Sequence, residues 1–383
     1  MLRNGRNKRP RIPVSTQLKL WVTAGGRCEF GGCNEYLLRD NLTLSEANYS
    51  DIAHIIAASP RGPRGRDALP REKRSQIENL MLVCKKHHKL IDDKQHEQDY
   101  PKEKLLRFKE EHERRIHRLT SIQPDNKTTI VRFTSKIAHD LVAIPRGQIY
   151  EAIYPRYPVD DKGIEIDLTN LPGIDNPSYW KSGAQCIQER VTQCLSPGIQ
   201  TPAVEHMSIF ALGPIPFLIY LGSCLGNKIP SDVYQRHRDT EDWAWKKSGK
   251  VTGYRIINPN TIVSHNKVAL ILSLSGVVAD EDLPKAILER CTVYRMTVDG
   301  KMPSPMYLRR RQELIAFKEH YQVLLRLIRA THPGLRQILL FPAVPAPVAV
   351  ICGASRLPKV DPALVVYDYN QSKGTFYKTL TVR

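Results

Sequence analysis

The chain has 383 residues, and its 57 Lys and Arg against 39 Asp and Glu give a formal net charge of +18. Such an excess of positive charge favours an acidic partner, and nucleic acid is the natural one. The longest apolar runs, residues 209–221 and 338–352, are interrupted by Gly or Pro, and no apolar segment follows the basic amino terminus. The sequence therefore predicts neither a membrane span nor a signal peptide, and we expect a cytoplasmic protein.

Two pairs of metal-binding side chains mark the first quarter of the chain. Cys28 and Cys33 flank the segment EFGG, and Cys84 is followed at position 87 by His87. Thiolate and imidazole ligands at these spacings predict a tetrahedral structural zinc site. Because consecutive residues of a helix point about 100° apart, His88 is then free to face a second, hydrated cation.

Two polar residues between these pairs stand beside apolar runs. His54 lies within the strand-like run DIAHII, where an imidazole must be hydrogen-bonded or functional. Asn79 directly precedes the apolar run Leu80-Met81-Leu82-Val83, and its amide can pin the loop that carries His54. The order of these motifs resembles the HNH, or ββα-metal, nuclease family in its zinc-stapled form, over roughly residues 20–118.

The HNH resemblance implies a role for each polar residue. His54 matches the general base that activates the attacking water, Asn79 matches the residue that positions it, and His88 matches a ligand of a catalytic Mg²⁺. Many family members carry an acidic ligand directly before the base, whereas this chain has Ala53 there. Asp51 lies three residues before His54, and strand alternation places it on the opposite face.

Two basic, Gly- and Pro-containing segments are candidates for phosphate-contacting arms, or for solvated flexible faces. The first comprises Arg3, Arg6, Lys8, Arg9 and Arg11, and the second Arg61, Arg64, Arg66, Arg71, Lys73 and Arg74. The sequence contains no base-reading helix pattern, so we expect cleavage with little sequence preference.

The first domain is expected to end in a helix. Pro101 suits a first helical turn, and apolar residues then recur at helical spacing as far as Leu119. The polar stretch that follows contains SIQPDNKTT, a composition typical of an interdomain linker. We therefore predict an α+β zinc-stapled domain at 1–120, a linker at 121–134 and a second domain at 135–383.

The second region alternates strand-like apolar runs with helical periodicity, which predicts an α/β fold with a mostly parallel sheet. Strand-like runs occupy residues 209–220, 268–274, 337–341, 346–352 and 364–367, and a helix is predicted at about 308–330. FALGPIPFLIYLG and ILLFPAVPAPVAVICG both place Pro inside an apolar run that ends in Gly. This similarity suggests two related half-domains.

These runs, with DTEDWAW, LSLSG and VDPALVVYDY, resemble the SAVED domain over roughly residues 135–383. The resemblance implies two fused CARF-like, Rossmann-like halves that sense a cyclic di- or trinucleotide. The order HNH then SAVED resembles an effector of CBASS antiphage defence. Candidate ligand contacts are aromatic rings beside positive charge: Trp243, Trp245 and Lys246, flanked by Arg236, Arg238 and Lys247, with Lys359 and Tyr367 in the second half. Because the two Trp residues alternate as in a strand, we expect one to be buried.

The combined expectation is an HNH endonuclease that cuts double-stranded DNA once a cyclic nucleotide drives self-association to a dimer or tetramer. One HNH site cuts one strand, so pairing two sites permits a double-strand break. Two alternatives remain open: a constitutive or modification-dependent HNH restriction endonuclease, and a nonenzymatic zinc DNA-binding regulator. Five further cysteines, Cys186, Cys194, Cys224, Cys291 and Cys352, stand in apolar contexts and are expected to be reduced, buried thiols.

Overall fold

The computed structural model describes residues 12–136, 144–172, 177–195 and 204–383. The chain forms two compact units, Met1–Ile122 and Gln123–Arg383. The basic run from Arg3 to Arg11 lies outside the described residues. Across the described ranges, no helix combines the length and the apolar character that crossing a membrane requires.

The first unit is built on a two-stranded hairpin followed by a helix. Its elements are α1 (Val14–Thr23), β1 (Ser50–His54), β2 (Leu80–Cys84), α2 (Lys85–Asp92) and α3 (Lys102–Thr120). β1 and β2 pair antiparallel, with His54 opposite Leu80 and Ser50 opposite Cys84. All five residues of β2 are buried, because α1, α2 and α3 enclose it together with the Cys-rich loop. This small core places two of the candidate site residues, His54 and Cys84, at the ends of β1 and β2.

Two of the six basic residues in the loop of residues 61–74, Arg64 and Arg74, are fixed against the core, whereas Arg61, Arg66, Arg71 and Lys73 are exposed. The Arg64 guanidinium donates hydrogen bonds to the carbonyl oxygens of Ile55, Ile91 and Tyr100. Arg74 is buried and donates to four carbonyl oxygens, those of Ala57, Gly65, Asp67 and Leu69. Both side chains satisfy backbone groups of an irregular loop, so they hold it against the core and are not free to contact phosphate.

Most of the predicted linker is a strand. Residues 127–134 form β3 (Lys127–Thr134), whose side chains at Thr128, Ile130, Val131 and Phe133 are buried. The adjacent apolar residues Ile130 and Val131 are both buried, as in a strand that is covered on both faces, and the polar residues before them misled the prediction. The boundary between the compact units falls earlier, after Ile122.

The second unit is an α/β structure with two sheets, which confirms the predicted fold class. Its strands are β3, β4 (Tyr157–Pro158), β5 (Ile164–Asp167), β6 (Met207–Leu212), β7 (Ser231–Tyr234), β8 (Tyr254–Ile257), β9 (Val268–Ser273), β10 (Thr292–Val298), β11 (Gln337–Ala343), β12 (Ala363–Asn370) and β13 (Thr375–Val382). Its helices are α4 (Arg146–Ile153), α5 (Pro177–Leu195), α6 (Ile215–Leu225), α7 (Lys285–Arg290), α8 (Arg311–Thr331) and α9 (Ala346–Ala354).

The first sheet has the order β4-β3-β6-β7, with β5 also paired to β3, and all of its pairings are parallel. The second has the order β13-β12-β11-β9-β10-β8, in which only the edge strands β8 and β13 pair antiparallel. The central core joins the inner faces of both sheets through α5, α6, α8 and α9. Separate apolar clusters cover the outer faces, one beside β3 and β6 and the other beside β9 and β11. Each half is therefore a sheet with helices on both faces.

The two halves meet where α6 crosses α9. Gly222 of α6 faces the carbonyl oxygen of Val350, and Gly353 of α9 faces that of Ile219. A Cβ atom on Gly353 would lie only 1.8 Å from the Ile219 oxygen, so only glycine allows this approach.

The predicted strand at residues 346–352 is therefore wrong, because this run forms helix α9. The predicted strand at 209–220 likewise divides into the end of β6 and the start of α6. A helix that is apolar on every side is buried, and its sequence has no period to distinguish it from a strand. Among the cysteines, Cys186 is exposed on α5, which contradicts the expectation that it is buried.

Candidate metal centre and active site

The four predicted zinc ligands converge in the first unit. One ligand atom from each of Cys28, Cys33, Cys84 and His87 lies within 4.8 Å of all the others. The His87 Nδ1 atom is 3.6 Å from Cys28 Sγ and 3.2 Å from Cys84 Sγ. Zn–S bonds of about 2.3 Å and Zn–N bonds of about 2.0 Å at a tetrahedral angle give a sulfur–nitrogen separation of about 3.5 Å. The donor set and its spacing therefore fit a zinc ion.

Local structure explains how the ligands reach one point. Cys84 ends β2 and caps α2, so His87 returns over Cys84 after one helical turn. The Phe30 ring stacks on the His87 imidazole with centroids 4.0 Å apart and an interplanar angle of 4°. Gly32 lies at a φ of +83°, and a Cβ on Gly31 would come within 2.5 Å of Phe108. The two glycines thus allow the tight loop between Cys28 and Cys33.

The site favours a cation electrostatically. Burial raises the pKa of the Cys28 thiol, and it also raises the pKa of the Cys84 thiol. Thiolates at these positions are therefore unfavourable without a compensating positive charge, which a zinc ion supplies.

His54 is the last residue of β1, half-buried, and the loop after it is fixed by Asn79. The Asn79 Oδ1 atom accepts a hydrogen bond from Ile56 N at 2.9 Å, and Asn79 Nδ2 donates to the carbonyl oxygens of Ile56 and Arg74. The Ile55 amide also donates to the Asn79 carbonyl oxygen at 2.9 Å. Side-chain and main-chain atoms of Asn79 thus both hold the backbone that follows His54.

His88, on α2, lies between two carboxylates. Its Nδ1 atom is 3.1 Å from Asp51 Oδ2, and its Nε2 atom is 3.3 Å from Asp92 Oδ2. Hydrogen bonding to Asp92 is the largest cause that raises the pKa of His88, with a further contribution from Asp51. Burial acts to raise the pKa of Asp92, but the hydrogen bond and charge of His88, with the charges of Arg64 and His54, outweigh it and lower that pKa.

Carboxylate oxygens such as those of Asp51 and Asp92 suit Mg²⁺ or Mn²⁺. One ring nitrogen of His88 with one carboxylate would hold such a cation, and the second carboxylate would orient the imidazole. Asp92 was missed by the sequence reasoning. Its signal is the i, i+4 spacing from His88, which places both on one face of α2. Asp51, expected on the face opposite His54, reaches His88 because α2 packs on β1.

The predicted ligand contacts of the second unit do not gather in one place. Trp243 is 1% exposed and packs edge-on against Phe210 in the cluster on the outer face of the first sheet. Tyr367 stacks on Phe341 beside the outer face of the second sheet. The two rings therefore lie against different sheets, and Trp243 offers no ring face to a ligand.

The other predicted contacts have separate environments. Trp245 is half-buried, with its ring 6.0 Å from that of His237. Lys246 is paired with Asp242, its Nζ atom 2.8 Å from Asp242 Oδ2. Lys359 is exposed in the turn after α9. Trp245 and Tyr367 are thus the predicted aromatic contacts that are only partly buried, whereas Trp243 is fully buried.

Residues 187–382 match the model of the SAVED family, the SMODS-associated and fused to various effectors sensor domain. The chain belongs to the SAVED family. No curated protein matches it. Among solved structures, the Acinetobacter baumannii Cap4 SAVED/CARF-domain containing receptor with the cyclic trinucleotide 3'3'3'-cAAA is 10% identical, with a TM-score of 0.41 over 74% of this chain and 62% of that one.

The same Acinetobacter baumannii receptor with 2'3'3'-cAAA is 12% identical, with a TM-score of 0.41 over 74% of this chain and 56% of that one. The Moraxella osloensis Cap4 SAVED/CARF-domain containing receptor is 13% identical, with a TM-score of 0.42 over 74% and 60%. This SAVED chain thus spans less than two thirds of the length of each of these receptors.

Proposed function

We propose that this SAVED protein is a metal-dependent endonuclease of CBASS antiphage defence, which a cyclic oligonucleotide switches on to degrade double-stranded DNA. The observation that carries the proposal is the closed set of four zinc ligands on a strand-strand-helix unit that also presents His54 and His88. A sensor domain occupies the rest of the same chain, which supports control by a ligand.

In the proposed reaction, His54 accepts the proton of the attacking water, because imidazole is the side chain that most often serves as a general base. Asn79 keeps the His54 loop in place through its hydrogen bonds to Ile56. His88, with Asp51 and Asp92, would hold a divalent cation, which when bound stabilises charge on the phosphate and the leaving oxygen. A zinc ion held by Cys28, Cys33, Cys84 and His87 would cross-link the Cys28 loop to α2 and so fix the helix that carries His88.

The sensor assignment rests on family membership and on charge. A net charge of +18 suits a chain that must contact both DNA and an anionic messenger. Open α/β sheets bind ligands beyond the carboxyl ends of their strands, and the second unit offers two such edges. We include self-association in the proposal because a double-strand break needs two active sites.

The test is cleavage of supercoiled plasmid by the full chain with Mg²⁺ and a panel of cyclic di- and trinucleotides. We expect intact plasmid without a cyclic nucleotide and fragmentation with at least one panel member. His54→Ala should stay inactive with every member, whereas His96→Ala, a matched change at an exposed His of the same unit, should cut normally. Plasmid cleavage that needs no cyclic nucleotide would instead favour a constitutive nuclease, and no cleavage under any condition would reject the nuclease assignment.

A further inference from the structure

A cavity of about 220 Å³ lies at the amino-terminal edge of the second sheet. One wall is a single face of α8, which carries Gln322, Leu325, Arg326 and Arg329 at helical spacing. The other wall is the turn between α9 and β12, which contributes Ser355 and Asp361. Because β11 and β12 are parallel and α9 connects them, this turn lies at the edge opposite the one where open α/β sheets bind their ligands.

The lining of this cavity has guanidinium donors without an acceptor. Both carboxylate oxygens of Asp361 are used, since Oδ1 pairs with Arg329 Nη1 and Oδ2 accepts a hydrogen bond from Leu357 N at 2.7 Å. The Arg326 guanidinium is exposed and forms no hydrogen bond or ion pair with any residue that the structure describes. A guanidinium offers five N–H donors and no acceptor. The missing partner of this lining is therefore an anion.

Ser355 provides a second, independent observation. It is 4% exposed, and its Oγ atom is buried without a hydrogen-bond partner among the described residues. The turn that carries it is fixed, because the Arg356 guanidinium donates to the carbonyl oxygens of Pro362 and Asp361. A buried hydroxyl that lacks a partner is destabilising, and its hydrogen rotates to meet an acceptor. A ligand oxygen in the cavity would complete the hydrogen bonding of Ser355.

We propose that this cavity binds the terminal phosphate of a small phosphate ester, held by the guanidinium groups of Arg326 and Arg329 and by the Ser355 hydroxyl. Guanidinium groups bind phosphate through charge-assisted, often bidentate hydrogen bonds, and the pair with Asp361 orients Arg329 for this contact. The cavity is smaller than the 300 Å³ or so of a typical ligand site, which limits the ester to a small one. A DNA phosphate is linked to sugars on both sides, so it cannot reach the buried Ser355.

The location connects the cavity to the joint between the halves of the second unit. Ser355 follows Gly353 by two residues, and Gly353 is the point where α9 touches α6. A phosphate held at Ser355 would therefore stabilise the end of the helix that joins the halves. This proposal does not depend on the proposed function, because neither DNA cleavage nor a cyclic nucleotide enters the argument.

The experiment compares Arg326→Gln and Ser355→Ala with Lys318→Gln in the full chain. Lys318 is exposed on the same helix and lies outside the cavity, and its replacement removes the same charge as that of Arg326. Without phosphate, Ser355→Ala should unfold at the wild-type temperature or above it, because its hydroxyl has no partner to lose among the described residues. Circular dichroism establishes that each variant is folded.

The first probe is inorganic phosphate, titrated at constant ionic strength while thermal unfolding is followed by tryptophan fluorescence. Wild type and Lys318→Gln should show the same rise of the unfolding midpoint with phosphate concentration. Arg326→Gln and Ser355→Ala should each bind phosphate about 10-fold more weakly or worse, since each loses a hydrogen bond to a charged group. General stabilisation by phosphate acts on all four proteins alike, so it cancels in this comparison. The second probe is a short DNA duplex without terminal phosphates, whose effect on the midpoint should be the same in all four proteins.

Each outcome decides for or against the site. Loss of the phosphate response in Arg326→Gln and Ser355→Ala, with a normal response in Lys318→Gln, supports it. Equal phosphate responses in all four proteins would reject the site. A lower midpoint of Ser355→Ala without phosphate would show that the hydroxyl already has a partner, which also rejects the site. If the duplex stabilises wild type and both cavity variants lose that effect, the ligand is nucleic acid and the assignment to a small ester is wrong.

Discussion

Gly353→Ala tests the contact that joins the two halves of the sensor. The added Cβ would lie 1.8 Å from the Ile219 carbonyl oxygen and 2.7 Å from Ser223 N, both backbone atoms of α6. An ordinary contact is at least about 3.4 Å, so α6 and α9 must separate locally by roughly 1.6 Å or more. Such overpacking destabilises by about 1–3 kcal/mol, and here the upper end applies because rigid backbone is the obstacle. Because Ala has a higher helix propensity than Gly, it stabilises α9 by about 1 kcal/mol, so the free energy of unfolding should fall by roughly 2 kcal/mol in total.

The assay is thermal unfolding of the full chain followed by tryptophan fluorescence. Three of the four Trp residues, Trp180, Trp243 and Trp245, belong to the second unit. For a domain of this size, a 2 kcal/mol loss lowers the midpoint by about 4–8 °C. Gly147→Ala in α4 is the matched control, since no atom lies within 4 Å of the added Cβ. Equal midpoints for Gly353→Ala and Gly147→Ala would refute the close helix crossing.

Three further predictions concern the first unit. Cys84→Ser should remove bound zinc and unfold the first unit while the second unit stays folded, as measured by metal analysis and circular dichroism. Cys186→Ser is the control, because Cys186 is exposed and lies outside the ligand set. Wild-type protein without zinc would reject the site. His54→Ala should lower DNA cleavage by about 10²- to 10⁴-fold yet retain zinc and DNA affinity, and near-normal cutting would mean that another residue is the base. Asp92→Asn should raise the Mg²⁺ concentration needed for DNA cleavage by about 10- to 100-fold. Asp93→Asn, at the exposed neighbouring residue, should leave this concentration unchanged. The same Mg²⁺ requirement in both variants would show that Asp92 is not a cation ligand.

The convergence of the four candidate zinc ligands could be predicted from the sequence because each half of the set is local. Cys28 with Cys33 and Cys84 with His87 each sit within one turn, so only the meeting of two short motifs had to be inferred. The hydrogen bonding of Asn79 to the loop after His54 could also be predicted, because a buried side-chain amide must find hydrogen-bond partners. Asp92 was missed because carboxylates are common on polar helices, and its role is visible only from its contact with His88 one helical turn away.

Other features depended on tertiary structure that no local pattern reveals. The helices α6 and α9 are apolar on every side, so their sequences look like those of buried strands. Arg64 and Arg74 belong to a segment whose composition matches a flexible basic arm, yet their donors satisfy carbonyl groups of the loop itself. Trp243 shares its segment with exposed charged residues, but its ring fills the space beside Phe210. In each case burial, which depends on distant residues, decided the role.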